Sequence, residues 1–296
     1  MGITLEREIL KILNANVAGQ EWMGWGERAQ VASKAFGDIH AHLIGFQESS
    51  PESLRVLSAA RPELIFRPGQ AHDDIYINSI AYDPKRLTLL DSGDYWLSED
   101  GTRKPAWDGM VRGSSWAHLK DLVTGKEFLH VNSHWDNKSA LARDMACAAD
   151  LKFIQERAAG IGVIFTADMN VSVNSPHQHW VDPSKRSPYE RLLQAGFIDA
   201  LQVVGPSAPL RPSTYHAFKG GYYDPLRHDP HGTYDTDIVA LRGFKPISAR
   251  LRGRGRGLKR SSDHWWLYVK AIPDNASHLL GVQEQEEGVR APEPTG

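Results

Sequence analysis

Six stretches of this 296-residue chain gather Asn, Gln, Asp, Glu and His at spacings that could do chemistry. They are Asn14/Asn16, Gln47-Glu48, Asn132 to Asn137 (which includes His134 and Asp136), Asp168/Asn170, Asp235/Asp237 and Ser262-Asp263-His264. Taken singly, each is ordinary, because Asp and Asn beside a strand usually make turns. Six together are another matter, since polar groups at strand ends escape the core yet can converge on one edge of a sheet. Their carboxylate and amide oxygens are hard ligands, suited to Mg²⁺ or Mn²⁺ and poor for zinc. Phosphoryl chemistry needs such a cation, donors for the equatorial oxygens and a base for water. The pairs His40/His42, His177/His179 and His228/His231 have no cysteine partners and read as surface or loop histidines.

The elements that must position these groups are short apolar strands interleaved with amphipathic helices. Ile9 to Val17 reads as a first strand, Glu27 to Leu43 as a helix with apolar residues at helical spacing, and Ile44 to Glu48 as a second strand. Pro51 to Ala60 begins with proline where a helix N-terminus accepts it. Between turn signals, Ile75–Tyr82, Leu87–Trp96, Ser115–Asp121 and Glu127–His134 are expected as successive strands of a meander. Ser139 to Ala158 is the strongest helix, and Ile161–Thr166, Asp237–Leu241, Pro246–Leu251 and Trp265–Ala271 complete the strands. Two β-rich halves with long covering helices predict one domain over residues 1–272. Its expected fold is a four-layer α/β/β/α sandwich of two mixed sheets flanked by helices. Residues 273–296 are polar and acidic and read as a disordered tail.

Composition narrows the class. With 41% hydrophobic and 24% charged residues the chain is globular, and a net charge of -2 excludes a uniformly basic binder. The one cysteine, Cys147, cannot form an internal disulfide and sits among alanines of a helical pattern as a small buried side chain. Charges at Glu6, Arg7 and Glu8 break the apolar run that a signal peptide needs, and no stretch approaches a spanning helix. A cytoplasmic monomer with no membrane contact is expected.

The motifs resemble, in order, those of the endonuclease/exonuclease/phosphatase superfamily. ILNANV is similar to its opening strand ending at Asn16, and IGFQES to its Gly-Leu-Gln-Glu element with the Glu at Glu48. VNSHWDNKSALAR resembles its Asn-Thr-His-Leu-Asp segment, matching His134, Asp136 and Arg143. IFTADMN resembles its Gly-Asp-Phe-Asn signature, giving Asp168 and Asn170. STYHAFKG looks like a Thr-Phe-His motif of a bacterial branch, DTDIV stands for Arg-Ile-Asp-Tyr-Ile, and SSDHWW matches the closing Ser-Asp-His at Asp263 and His264. The resemblance spans roughly residues 9 to 271.

It implies a divalent-metal-dependent phosphoesterase using Mg²⁺ or Mn²⁺, with Glu48, Asn16 and Asp263 at the metal. Asp168 would orient or deprotonate water, while Asn170 and His134 would hold phosphoryl oxygens. Asp237 would orient His264, which serves as base or phosphate donor. Arg112 stands where several members place a phosphate-contacting Arg, and Asp136 would brace the His134 loop. Three departures stand out: Ala167 replaces Gly, Asp235 replaces Arg and Ile238 replaces Tyr. If strand geometry reaches residue 235, Asp235 and Asp237 share a face, and both should raise the pKa of His264 toward a donor role.

For substrate, residues 250–260 hold six Lys or Arg with interleaved glycine; without them the chain would carry about -8. Such a loop suits a polyanion, with Arg252, Arg254 and Arg256 as contacts, and equally suits a solvated loop that offsets an acidic remainder. A nuclease acting on nucleic acid is the expectation. The alternatives are a small-molecule or lipid-headgroup phosphatase, although the Trp-x-Gly-Asp-x-Asn motif of the inositol-phosphatase branch is absent, and a binding protein on the same scaffold that has lost catalysis.

Overall fold

The structure, a computed structural model, describes residues 6–69, 71–72, 75–76, 78–105, 107–171, 186–206, 212–218, 235–253 and 260–274. Arg254, Arg256, His177, His179, His228, His231 and the chain beyond Asp274 lie outside the described residues. In chain order the elements are β1 (Leu10–Asn16), a 3-10 turn (Glu21–Met23), α1 (Trp25–Gly37), β2 (Leu43–Gln47), α2 (Pro51–Ala60), β3 (Ile65–Arg67), β4 (Ala71–His72), β5 (Ile75–Tyr76) and β6 (Ser79–Tyr82). They continue with β7 (Leu87–Trp96), β8 (Gly113–Asp121), β9 (Glu127–His134), α3 (Ala140–Arg157), β10 (Gly162–Asp168), α4 (Pro188–Gln194), β11 (Ile198–Asp199), α5 (Ala200–Val204), β12 (Asp237–Arg242), β13 (Phe244–Arg252) and β14 (Trp266–Pro273). Two six-stranded mixed sheets result, ordered β13-β14-β1-β2-β6-β3 and β11-β12-β10-β9-β8-β7.

Three apolar layers follow from the period-2 alternation of the strands. Leu10, Ile12, Leu43, Phe128, Ile164, Val239, Leu241, Leu267 and Val269 fill the space between the sheets. The opposite faces carry Leu13, Ala15, Ile44 and Phe46 against Trp25, Phe36 and Leu57 of α1 and α2. On the second sheet, Leu129, Val131, Val163 and Phe165 meet Ala146, Cys147 and Ile154 of α3. Each fully buried large side chain stabilises by about 1.5–3 kcal/mol. The helices begin where capping allows. Ser50 makes a reciprocal capping box with Ser53 ahead of Pro51, and Ser139 accepts from Ala142 N at the start of α3. Buried Cys147 donates to Pro188 O at 3.3 Å, and burial pushes its thiol pKa up to about 12.

The strands differ from expectation in three places. The first helix stops at Gly37, because Leu43 and Ile44 are claimed by parallel pairing with Ile12 and Leu13; Ile39 stays in the same outer core without being helical. The stretch expected as one strand over Ile75–Tyr82 is two, and β6 pairs with β2 and β3 in the first sheet. The meander is therefore only β7-β8-β9. Asn78 explains the break, since its Nδ2 crosses to the second sheet and donates to Gly113 O at 2.7 Å and Asn132 O at 3.2 Å. Last, β14 continues to Pro273 and Asp274 N bonds Gly243 O, so paired backbone runs two residues into the stretch read as tail.

Candidate active site

β1 and β2 are parallel, as are β9 and β10, and each pair is joined by a crossover that carries a helix. The carboxyl ends of four strands therefore face one edge of the sandwich, the usual place for a ligand in such sheets. There β14 starts antiparallel to β1 and β12 antiparallel to β10, with Asp168 opposite His134 on one side and Asp237 on the other. Along these strands the face turned toward the other sheet changes character. On β1 it runs Leu10, Ile12, Asn14, Asn16; on β9 Phe128, His130, Asn132, His134; on β10 Ile164, Thr166, Asp168; on β12 Leu241, Val239, Asp237. Burying that polar end requires partners. Gln47 Nε2 donates to Asn14 Oδ1 at 2.8 Å and Asn132 Oδ1 at 2.6 Å, and Asn14 Nδ2 reaches Ala167 O and Asp237 Oδ1, both at 3.2 Å. Asn132 Nδ2 donates to Phe46 O and Ser79 O, each at 2.9 Å.

At the edge itself, His264 Nδ1 donates to Asp237 Oδ2 at 2.7 Å, and its Nε2 faces Asp168 Oδ2 at 3.6 Å. His134 Nε2 lies 3.7 Å from the same Asp168 oxygen and 3.9 Å from Glu48 Oε1. Behind it, Arg112 Nη1 lies 3.1 Å from His134 Nδ1. Because a guanidinium can only donate, that nitrogen accepts and the proton of a neutral His134 sits on Nε2, toward the carboxylates. Asn16 Nδ2 bridges Glu48 Oε1 at 3.1 Å and Asp168 Oδ2 at 2.9 Å, while its oxygen accepts from Ala18 N. Asn170 donates its backbone N–H to Asp168 Oδ1 and its amide to Trp135 O, both at 3.0 Å. Glu48 and Asn170 both sit at positive φ, 53° and 51°, a strained setting for non-glycine residues that concentrates at functional positions.

The charges follow from this packing. Burial alone would depress His264, yet the carboxylates of Asp237 and Asp168 raise it well above the ordinary histidine range. Burial and the Arg112 guanidinium instead hold His134 at about 3. Burial opposes ionisation of Asp168, but His264 and His134 beside it bring its pKa below the ordinary value. Burial and the neighbouring Asp263 carboxylate push Glu48 up. A buried carboxyl group whose ionisation a neighbouring carboxylate opposes, as at Glu48, is the setting that a divalent cation relieves. Ligand atoms of Glu48, His134 and Asp168 lie within 4.8 Å of one another, as do those of Asp168, Asp237 and His264. In both groups the histidine nitrogen turned inward carries a proton, so oxygen donors, Glu48 and Asp263, fit a hard cation better.

The structure thus brings Asn16, Glu48, His134, Asp168, Asn170, Asp237, His264 and Arg112 together, with Asp263 close enough to act on Glu48. Asn16, expected near the cation or its waters, meets the Glu48 and Asp168 carboxylates with its amide nitrogen. Asp136 accepts the backbone N–H groups of Met110, Lys138 and Ser139, which braces the turn after His134. Arg252 ends β13, exposed, its guanidinium 5.7 Å from the Tyr268 ring. Asp235 is buried but precedes β12, which starts at Asp237, so the shared-face argument does not extend to it. Asp237, Asp168 and Asp263 raise His264.

Sequence reasoning missed three contributors. Arg28 of α1 is buried beside Glu48 and Asp263, with Nη1 on Ser261 O at 2.9 Å and Nη2 on Ala18 O, tying two edge loops together. Nothing distinguishes it in the sequence from a surface arginine. Asp150, inside α3, accepts from Trp135 Nε1 at 2.7 Å, Tyr95 Oη at 2.6 Å and Ser114 Oγ at 2.8 Å. Thr214 Oγ1 accepts from Asp237 N at 3.0 Å; the STYH motif was its only signal.

No family profile and no curated protein matches the sequence. Solved structures do match. An endonuclease/exonuclease/phosphatase from Bacteroides vulgatus is 21% identical with a TM-score of 0.72, covering 90% of this chain and 99% of that one. A mannosyl-6-phosphatase of Bacteroides thetaiotaomicron VPI-5482 is 21% identical with a TM-score of 0.68, over 89% and 99%. D. rerio TDP2 complexed with single-strand DNA product is 18% identical with a TM-score of 0.66, over 89% and 98%. The chain therefore has the two-sheet α/β sandwich fold of the endonuclease/exonuclease/phosphatase proteins.

Proposed function

We propose that this protein is a Mg²⁺- or Mn²⁺-dependent phosphoesterase that hydrolyses phosphodiesters, with nucleic acid as its substrate. The observation that supports this reading most is the meeting of Asp168 with His134 and the His264–Asp237 pair beside the Glu48/Asp263 carboxyl pair. A divalent cation held by Glu48 and Asp263 would neutralise charge on the phosphoryl oxygens. Asp168, kept ionised by two histidines, orients the attacking water and takes its proton. As water's oxygen bonds to phosphorus, the bond to the leaving oxygen breaks in line with it. His264, held protonated, donates to a phosphoryl oxygen, and neutral His134 donates its Nε2 proton to another. Asn170, whose backbone N–H fixes Asp168, offers its amide to the same group, and Arg112 fixes the tautomer of His134.

The test is turnover of plasmid DNA, RNA and bis-p-nitrophenyl phosphate with Mg²⁺ or Mn²⁺, beside p-nitrophenyl phosphate as monoester. Diester hydrolysis that stops in EDTA, and falls to near background in Glu48→Ala and Asp168→Ala, is expected. Undiminished turnover in excess chelator rules the mechanism out. Because one structural neighbour is a mannosyl-6-phosphatase, preference for the monoester would move the substrate to small phosphate esters.

A further inference from the structure

Arg28 lies in the first turn of α1 and is buried. Among the described residues its hydrogen bonds go to backbone carbonyls and none to a carboxylate. Nε donates to Met23 O at 3.2 Å, Nη1 to Ser261 O at 2.9 Å and Nη2 to Ala18 O. Its Cζ stands 4.9 Å from the centre of the Phe218 ring and 5.6 Å from that of Trp25. Three of these contacts lead through the backbone to the carboxylates of the edge. Gly19, next to Ala18, donates its N–H to Glu48 O at 2.8 Å, and Ala18 N donates to Asn16, whose amide reaches Glu48 Oε1. Ser261 stands two residues before Asp263, whose Oδ1 accepts from Ser262 Oγ at 3.2 Å. Phe218 ends the segment whose His216 N–H holds Asp263 O at 2.8 Å. Ala18 and Phe218 also sit at positive φ, 44° and 62°, conformations that persist only where surrounding contacts hold them.

Stability alone does not account for this residue. A guanidinium taken out of water is costly, and buried charges are normally paired with an opposite charge. Its charge also has the wrong sign beside a site for a divalent cation, which it repels. What remains is shape. A rigid planar fork can address several carbonyls in fixed directions, and an ammonium on a flexible stem cannot.

We infer that Arg28 is a positioning residue for the cation: its fork fixes the backbones that carry Glu48 and Asp263 relative to one another, and so sets the spacing of the two carboxylates that Mg²⁺ or Mn²⁺ meets. The inference rests on the metal-dependent reading of the site and is tested by metal binding alone, without substrate. Electron paramagnetic resonance would follow a Mn²⁺ titration of the protein at a temperature where every variant is folded, with Tm recorded in parallel. Arg28→Met, similar in length and uncharged, should raise the Mn²⁺ Kd by about tenfold or more, the scale of groups that orient metal ligands. Arg28→Lys keeps the charge and loses the fork, so it should bind no better than Arg28→Met, and it serves as the test should that variant fail to fold. Leu57→Ala, in the outer core on α2, should lower Tm and leave the Kd where it is. Recovery of the wild-type Kd in Arg28→Lys overturns the inference, because charge and not geometry would then be at work. A Kd unmoved in the folded Arg28 variants overturns it too, as does one that Leu57→Ala moves as far, or a wild-type protein that takes up no Mn²⁺. Mn²⁺ binding with the expected losses but no hydrolysis of bis-p-nitrophenyl phosphate leaves the role of Arg28 standing and removes the phosphoesterase reading instead.

Discussion

His264 and His130 show how position sets the behaviour of one residue type. Both are buried, yet His264 faces carboxylates and is held protonated, while His130 has Thr166 Oγ1 at 2.8 Å and burial lowers its pKa to about 3. Asp237→Asn removes the counter-charge of His264 while keeping its shape. It should lower kcat by about 10²–10⁴-fold with a much smaller change in KM, measured on bis-p-nitrophenyl phosphate. An equal loss in Asp235→Asn would show that both carboxylates serve the histidine. His130 makes a prediction about stability. Its folded pKa lies below its unfolded value of about 6.5, so the unfolded chain binds the extra proton first. The stability contributed by neutral His130 is complete above that value and is lost as pH falls from about 6.5 toward 3. Between pH 7 and pH 5 this one residue should cost about 2 kcal/mol. Guanidinium unfolding at the two pH values measures it, and His130→Gln should shrink the loss; an unchanged loss assigns it to other groups.

Elements act here through what they carry to the edge. α3 holds Asp150 beneath the turn after β9, so Trp135 Nε1 is fixed from below while Trp135 O receives Asn170. Asp150→Ala strands the Trp135, Tyr95 and Ser114 donors. A loss of about 1–3 kcal/mol per unpaired buried group is the relevant scale. Thermal unfolding should show a clear drop, with Asp150→Asn in between. β2 makes its own demand at Gly45, because a Cβ there would collide with Thr166 Oγ1 and come within 2.6 Å of Asn132 Oδ1. The two sheets approach closely through that gap. Gly45→Ala should therefore destabilise by about 1–3 kcal/mol through overpacking, read as a fall in the denaturation midpoint; a midpoint matching wild type would mean that the sheets move apart without cost.

For the molecule as a whole, the edge that gathers acidic groups is paired with a metal-binding expectation that thermal unfolding can read without substrate. A cation that binds only the folded chain stabilises by about 2.7 kcal/mol at a hundred times its Kd. Mg²⁺ or Mn²⁺ should raise Tm, and Glu48→Gln should abolish the rise; a shift of equal size in that variant would place the cation elsewhere. Among the described residues, no helix is long and apolar enough to cross a membrane. The sequence by itself determined most of the long strands and the polar residues at their ends. Leu87–Trp96 and Glu127–His134 are read to the residue, because alternation and turn signals are local and each strand's polar end is written in its own few residues. Tertiary structure decided the rest. Which sheet β6 joins, that helix α1 gives way before Leu43, and that Asp235 lies outside β12 depend on pairing between distant segments. The same holds for the buried amides of Asn14, Gln47 and Asn132, whose partners lie 33 to 223 positions away. A polar side chain in a short motif reports that it needs a partner. Only the packed sheets supply one, because desolvation, which makes that partner obligatory and shifts the histidines in opposite directions, exists only after the two faces have closed.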